Sequence, residues 1–403
     1  MAAAAELAAR SVIVTVFEAG AVLGGRARRI EARGHRLDNG QHILAGAYSS
    51  LFAAMRQVGA PKESLLRRRI ELRYARSFAL RAAPLPAPFD MLFGLLATRG
   101  APLGERFGAI AFMRALQHLH FALAPDRSVA QLLAEHGQNG QIGRFLWRPL
   151  CISALNTPPE RASANAFLAV LRDTLAGGSG ASDLLYPKTD LSRLFPEPAA
   201  EFVQARGGEA RTRASVRGLA REGESWRVEG ESFAAVVLAC GPHQLEPFSA
   251  QLGTLPQHAY QPIYTCYLQY PDGCTLGEPM LGLADGVVQW VFDRGMLLGA
   301  HGQLACVISA QGDHQQMTHG ELAQTCHREL AAVLPGLPGP LWSQVIAEKR
   351  ATIACTPDRP KLGPRTAAPQ IFLAGDYTDP EYPPTLEAAV RSGRRAALAL
   401  LES

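Results

Sequence analysis

The alternation of apolar and polar positions predicts the elements. Residues 12–17 (VIVTVF) form a β-branched apolar run that ends on Glu18, which predicts a strand closing on a carboxylate. Near the other end, residues 371–374 (IFLA) run into Gly375-Asp376, and a helix opens at about Pro384-Thr385 after a short loop. The Ala-rich residues 1–10 and residues 47–59 read as helices. Residues 145–163 read as helix, loop and helix, and residues 191–205 as one helix stopped by Gly207-Gly208. Residues 209–239 read as short strands turning at Glu222-Gly223 and Glu229-Gly230 and ending in a buried strand, 235–239. From Pro84 the chain is apolar, punctuated by proline and helical in pieces, and residues 246–345 mix strands with helices. No internal repeat is visible.

Composition narrows the class. A chain of 403 residues with 47% hydrophobic content can bury the core of two joined domains. A formal charge of +4 is small for that size and gives no case for nucleic acid. Lysine occurs only at 62, 188, 349 and 361, so arginine carries nearly all the positive charge. The cysteines at 151, 240, 266, 274, 306, 326 and 355 are odd in number and form no C-x-x-C pair. That pattern argues for a reduced, cytoplasmic protein and against structural zinc. Glu6 and the lack of a basic flank do not fit a signal peptide, and no run of 18 apolar residues predicts a spanning helix.

Two segments carry most of the chemistry. Gly375 lets backbone approach a ligand, Asp376 can accept from hydroxyls or hold a water on a phosphate, and the helix start at Thr385 and Leu386 offers unpaired N–H groups. This combination suits the ribityl and pyrophosphate parts of a flavin. Glu18, at a strand end, is placed to grip an adenosine ribose. Gly24-Gly25-Arg26 supplies a tight turn and a guanidinium for a pyrophosphate. An isolated Glu after a strand is usually a solvated loop residue; the match with Gly375-Asp376 favours the ribose reading.

Other features divide between structural and functional readings. Asp38-Asn39-Gly40, in LDNGQH (37–42), is also a common turn. Trp147 and Arg148 could line a pocket, but a half-buried Trp at a domain seam is simpler. His118 and His120 are two apart on a helix-like stretch and cannot share a face, which argues against a metal site. Tyr377, Tyr382 and Trp290 are either core or aromatic walls. Met91, Leu92, Phe93, Leu95 and Leu96 read as a packed helical subdomain or as a lipid-facing entrance, and Arg67–Arg69 as a solvated face or a contact to anionic headgroups.

Glu18, Arg26 and Asp376, some 350 residues apart, resemble the two ends of a flavoprotein of the amine oxidase and carotenoid desaturase superfamily. VFEA, LGGRARR, LDNGQHILAGAY, WRPLCISALNTPPE, LSRLFPEPAAEF and LAGDYTD with PPTLEAAVRSGRRAA look like a narrower group, the hydroxysqualene dehydroxylases of hopanoid pathways. The DPEYPP loop departs from that group's shorter, less acidic linker.

The resemblance implies an α/β fold. A Rossmann-like FAD-binding domain would span 1–75, 200–245 and 350–403, and a discontinuous α+β substrate domain 76–199 and 246–349. It implies FAD held by Glu18, Gly24, Gly25, Arg26, Gly40, the backbone at Val216 facing the adenine, Gly375, Asp376, Thr385 and Leu386. It sets LDNGQH beside the flavin ring, making Asp38 and His42 candidates to polarise or protonate a substrate oxygen. The implied substrate is a long apolar isoprenoid alcohol, with an unidentified electron donor and peripheral contact with the inner membrane. The strand and glycine-rich turn that open such a domain do not precede MAAAAELAARS, which reads as the helix after that turn. An upstream start, about 15–20 residues earlier, is the expectation.

Rival readings are a carotenoid or phytoene desaturase, with the same cofactor and opposite electron flow, and a cofactor-free isoprenoid-binding protein. An amine oxidase is disfavoured by Gly-Asp, where that branch tends to have Gly-Glu, and by the scarcity of lysine.

Overall fold

The computed structural model describes residues 1–75 and 77–403. The apolar run before Glu18 forms the strand Thr15–Glu18, which pairs in parallel with Glu209–Thr212, Glu18 opposite Thr212. Val236–Leu238 pairs in parallel with Ile371–Leu373. One helical layer covers both pairs. Ala3, Leu7 and Ala397 pack with Val12, Val14, Val237 and Leu400, joining helix Ala2–Ala8 to helix Leu386–Leu401. Gly393 permits that approach, since a Cβ there would lie 2.9 Å from Ala3 N. Arg394 also reaches Glu6 across the same contact, at 3.3 Å.

A five-stranded antiparallel sheet forms the second region, ordered Met280–Gly282, Trp290–Asp293, Gln303–Ser309, Tyr260–Gln269 and Trp342–Ile353. Side chains alternate along its central strand. Tyr264, Cys266 and Leu268 pack on Leu322, Cys326 and Leu330 of helix His319–Val333. Tyr267 faces the opposite way, into the largest core cluster with Phe112, Trp147 and Phe167. A three-stranded antiparallel unit, Ala220–Glu222, Ser225–Val228 and Glu231–Phe233, precedes the return strand Val236–Leu238.

Three expectations change. Residues 191–205 form two helices, Leu191–Leu194 and Pro196–Gln204, because Phe195 leaves helical backbone and Pro196 has no N–H to continue the ladder. Trp147 is fully buried rather than half-buried, and its Nε1 donates to Gln138 Oε1 at 2.8 Å. The apolar run 91–96 is divided by helix Phe89–Leu96: Met91 and Leu95 face the core, while Phe93 faces solvent.

Candidate cofactor and active site

The distant segments meet through one ion pair. Arg26 Nη2 lies 2.7 Å from Asp376 Oδ1, and its Nη1 donates to Ala351 O at 2.5 Å. Asp376 is buried on a single turn, Asp376–Thr378, directly after the strand that ends at Leu373. Gly375 before it is required by space. A Cβ there would sit 2.3 Å from the Tyr377 ring, and the Gly375 N–H donates to Ser392 Oγ on the last helix at 2.9 Å. On the Arg26 side, Gly24 has φ +124°, and a Cβ would meet Ala27 O at 2.4 Å, so the turn closes only with glycine. Gly25 follows at φ +60°.

Glu18 bends back, its Oε1 accepting from Gly20 N–H at 2.6 Å. Its carbonyl accepts from Ala214 N–H at 2.9 Å, bringing the 213–216 segment alongside. Val216 and Phe17 both pack, partly buried, against the cluster that contains Trp226 and Tyr377. Thr385 caps the last helix, its hydroxyl accepting from Ala388 N–H at 3.2 Å, while Leu386 turns to the core around Leu51 and Val390.

The 38–42 loop is tied to this centre. Asn39 Nδ2 donates to Arg26 O and to Glu348 Oε2, both at 3.0 Å. Asp38 is buried, accepts from Leu191 N–H at 2.9 Å, and lies 3.7 Å from Arg294. Burial outweighs those two contacts and pushes its carboxyl up to about 6. Tyr267 Oη donates to Asp38 O at 2.8 Å. Arg294 donates to Gln303 Oε1 (2.6 Å), Gln41 Oε1 (3.0 Å) and Arg36 O (3.3 Å), fixing the loop from the antiparallel sheet. His42 Nδ1 is 2.8 Å from Gly40 O. A carbonyl only accepts, so Nδ1 carries the proton and Nε2 presents a lone pair. Loss of solvation lowers the His42 pKa, holding the ring neutral.

The structure therefore brings Gly24, Gly25, Arg26, Gly40, Asp38, His42, Gly375 and Asp376 into one bonded neighbourhood, with Glu18 and Val216 at the end of the first strand. Thr385 and Leu386 stand at the start of the last helix, where the Leu386 side chain packs, half-buried, against the cluster around Leu51 and Val390. Sequence reasoning missed Asn39 as a bridge, together with Tyr267, Arg294 and Glu348, which carry no local motif. It also missed Glu387, whose buried carboxylate accepts from Ser50 and Leu51 N–H at 3.0 and 2.9 Å and so caps another helix.

The residues fit a bound flavin nucleotide. Tyr377 Oη, His258 Nε2 and Thr265 Oγ1 are buried with no hydrogen-bond partner among the described residues. Tyr377 adjoins Asp376, and His258 lies 6.1 Å from its ring. Thr265 Oγ1 is 3.7 Å from where a Cβ on Gly40 would stand. Buried orphan groups beside Asp376 and beside Gly40 are what a polar ligand would satisfy. Among the described residues no cluster of His, Cys, Asp or Glu could hold a metal ion.

Paired parallel strands, glycine turns and the arginine–aspartate clasp together suit an α/β nucleotide-binding protein. Residues 1–401 match the family described as flavin containing amine oxidoreductase. The chain belongs to that family, and FAD is its cofactor. It is 32% identical over 279 residues to the hydroxysqualene dehydroxylase of Sinorhizobium fredii, covering 66% of this chain and 64% of that protein. It is 29% identical to the hydroxysqualene dehydroxylase of Rhodopseudomonas palustris, covering 98% and 94% of the two chains. Zeta-carotene desaturases also match, at 20–24% identity. Among solved structures, an oxidoreductase from Methanosarcina mazei superposes with a TM-score of 0.74 at 15% identity, covering 100% and 97% of the two chains.

Proposed function

We propose that this protein removes the allylic hydroxyl of hydroxysqualene, a C30 isoprenoid alcohol, and installs hydrogen to give squalene. The carrying observation is that Asn39 bonds the Arg26 carbonyl and so ties the 38–42 loop, with Asp38 and His42, to the Arg26–Asp376 ion pair. The similarity to two hydroxysqualene dehydroxylases supports the substrate class. The proposed cofactor-binding part consists of residues 1–75, 200–245 and 350–403, and 76–199 with 246–349 form the substrate part.

Hydroxide is a poor leaving group, so the C–O bond breaks as oxygen takes up a proton and departs as water. The carbon gains two electrons and a hydrogen nucleus, which reduced FAD supplies as hydride when bound. Asp38 is the better proton donor of the pair, because its raised pKa keeps part of the population protonated near neutral pH. His42, neutral with Nε2 as acceptor, suits orienting the substrate hydroxyl through its hydrogen. Glu18, Gly24, Gly25, Gly40, Val216, Gly375, Thr385 and Leu386 are assigned to the cofactor with Arg26 and Asp376. The chain must also keep water from the developing allylic cation.

Protein reduced anaerobically by light and mixed with hydroxysqualene should yield squalene by mass spectrometry. Unchanged substrate with flavin still reduced would favour the desaturase reading, which the desaturase matches support. Asp38→Asn and His42→Ala should keep bound flavin while slowing turnover. Native turnover in both variants would place the acid elsewhere.

A further inference from the structure

Two neighbouring helices, Phe89–Leu96 and Leu103–His118, present apolar side chains to solvent on matching faces. Phe89 and Phe93 are four residues apart and 51% and 48% exposed; Leu103 and Phe107, also four apart, are 62% and 61% exposed. Leu85, just before the first helix, is exposed as well. Side chains four apart lie on one helical face, so each helix offers an unpartnered ridge. Arg106 joins the helices, donating to Leu96 O and Ala101 O at 2.9 Å each.

The charges on this surface are one-sided. Asp90 is buried and accepts from Met91 N–H, and Glu105 turns inward to accept from Ile142 N–H. Glu71, at the edge, is paired with Arg81 at 3.6 Å. Arg99 and Arg114 are exposed and pair with no carboxylate among the described residues. No helix among the described residues is long and apolar enough to cross a membrane. Exposed aromatics on two helices, flanked by two arginines that pair with no carboxylate among the described residues, match an interface lying in the headgroup region of an anionic bilayer.

We propose that Phe89, Phe93, Leu103 and Phe107 insert into the surface of an anionic membrane, with Arg99 and Arg114 meeting its headgroups. This deepens the proposed function, because an apolar substrate would reach the protein from lipid. The surface itself is tested without substrate, so failure to form squalene and failure to bind lipid are separate results.

FAD-loaded full-length protein is mixed with phosphatidylcholine vesicles, with or without phosphatidylglycerol, and floated through sucrose. The wild type should rise with the phosphatidylglycerol vesicles. F93S/F107S should partition at least about tenfold less, the order expected for losing buried aromatic surface. R99Q/R114Q should lose the preference for anionic over neutral vesicles. Unchanged flavin absorbance and thermal midpoint identify each variant as folded. The proposal is overturned if the wild type stays down with both vesicles, floats equally with both, or floats no better than folded F93S/F107S. It is also overturned if F93S/F107S only turns a dimer into a monomer by light scattering while the wild type binds neither vesicle.

Discussion

Asp376 and Asp38 are both buried carboxylates facing an arginine, yet their surroundings differ. Asp376 sits on the turn that follows a parallel strand and meets Arg26 directly at 2.7 Å, joining segments 350 residues apart. Asp38 ends one arm of an antiparallel hairpin, Arg29–Ala32 with His35–Asp38, and its arginine stands off at 3.7 Å while bonding Gln41, Gln303 and Arg36 O. Direct contact makes the first a clasp. Distance leaves burial dominant at the second, whose carboxyl rises to about 6. The same two residue types thus form a direct ion pair in one place and leave a carboxyl with a raised pKa in the other, according to how the guanidinium is shared.

The largest expected effect is on the clasp. Asp376→Ala should cost about 2–3 kcal/mol of FAD binding, roughly a hundredfold in affinity, the scale of a lost charged hydrogen bond. Flavin released during gel filtration measures it. R26M should produce a similar loss, and the double variant less than the sum, if the two side chains act as a unit.

Asp38 sharpens the contrast through pH. Its folded pKa lies above the ordinary 3.8, so the native state holds the extra proton. Stability from this group is present below about pH 4 and lost as pH rises through about 6. The loss should be on the order of 3 kcal/mol. Subtracting the thermal unfolding curves of Asp38→Asn from those of the wild type between pH 4 and pH 7 isolates it. A flat difference would mean that Arg294 compensates the charge.

A smaller effect, about 1–2 kcal/mol, is expected for Trp147→Phe, which leaves Gln138 Oε1 buried without its donor. Chemical denaturation reads this loss. Gly40→Ala should change stability least, by less than about 0.5 kcal/mol, because its Cβ would meet His42 and Thr265 only at 3.7 Å. A fall in FAD affinity without a fall in stability would place the cofactor against Gly40.

The strand before Glu18, the Gly375-Asp376 turn and the helix at Thr385 were legible because each has a short local signature: an apolar run, a glycine under steric demand, a capping hydroxyl. Arg294, Glu348 and Tyr267 were not. Their roles depend on register in a sheet whose strands are separated by up to about 80 residues, and an Arg after a strand looks alike whether it bonds Gln41 or water. The broken 191–205 helix was readable in principle, since Pro196 and Pro198 stand inside the apolar period. Trp147 was misjudged because its burial depends on Gln138, a polar partner that hydrophobic patterning does not register.

The union of Arg26 with Asp376 also bears on biosynthesis. A ribosome releases the guanidinium early and the carboxylate near the end, so no nascent chain shorter than 376 residues contains both halves of the grip. Cofactor loading should accordingly be a late event, and partially made protein should depend on its own cores, or on chaperones, until the closing strand arrives.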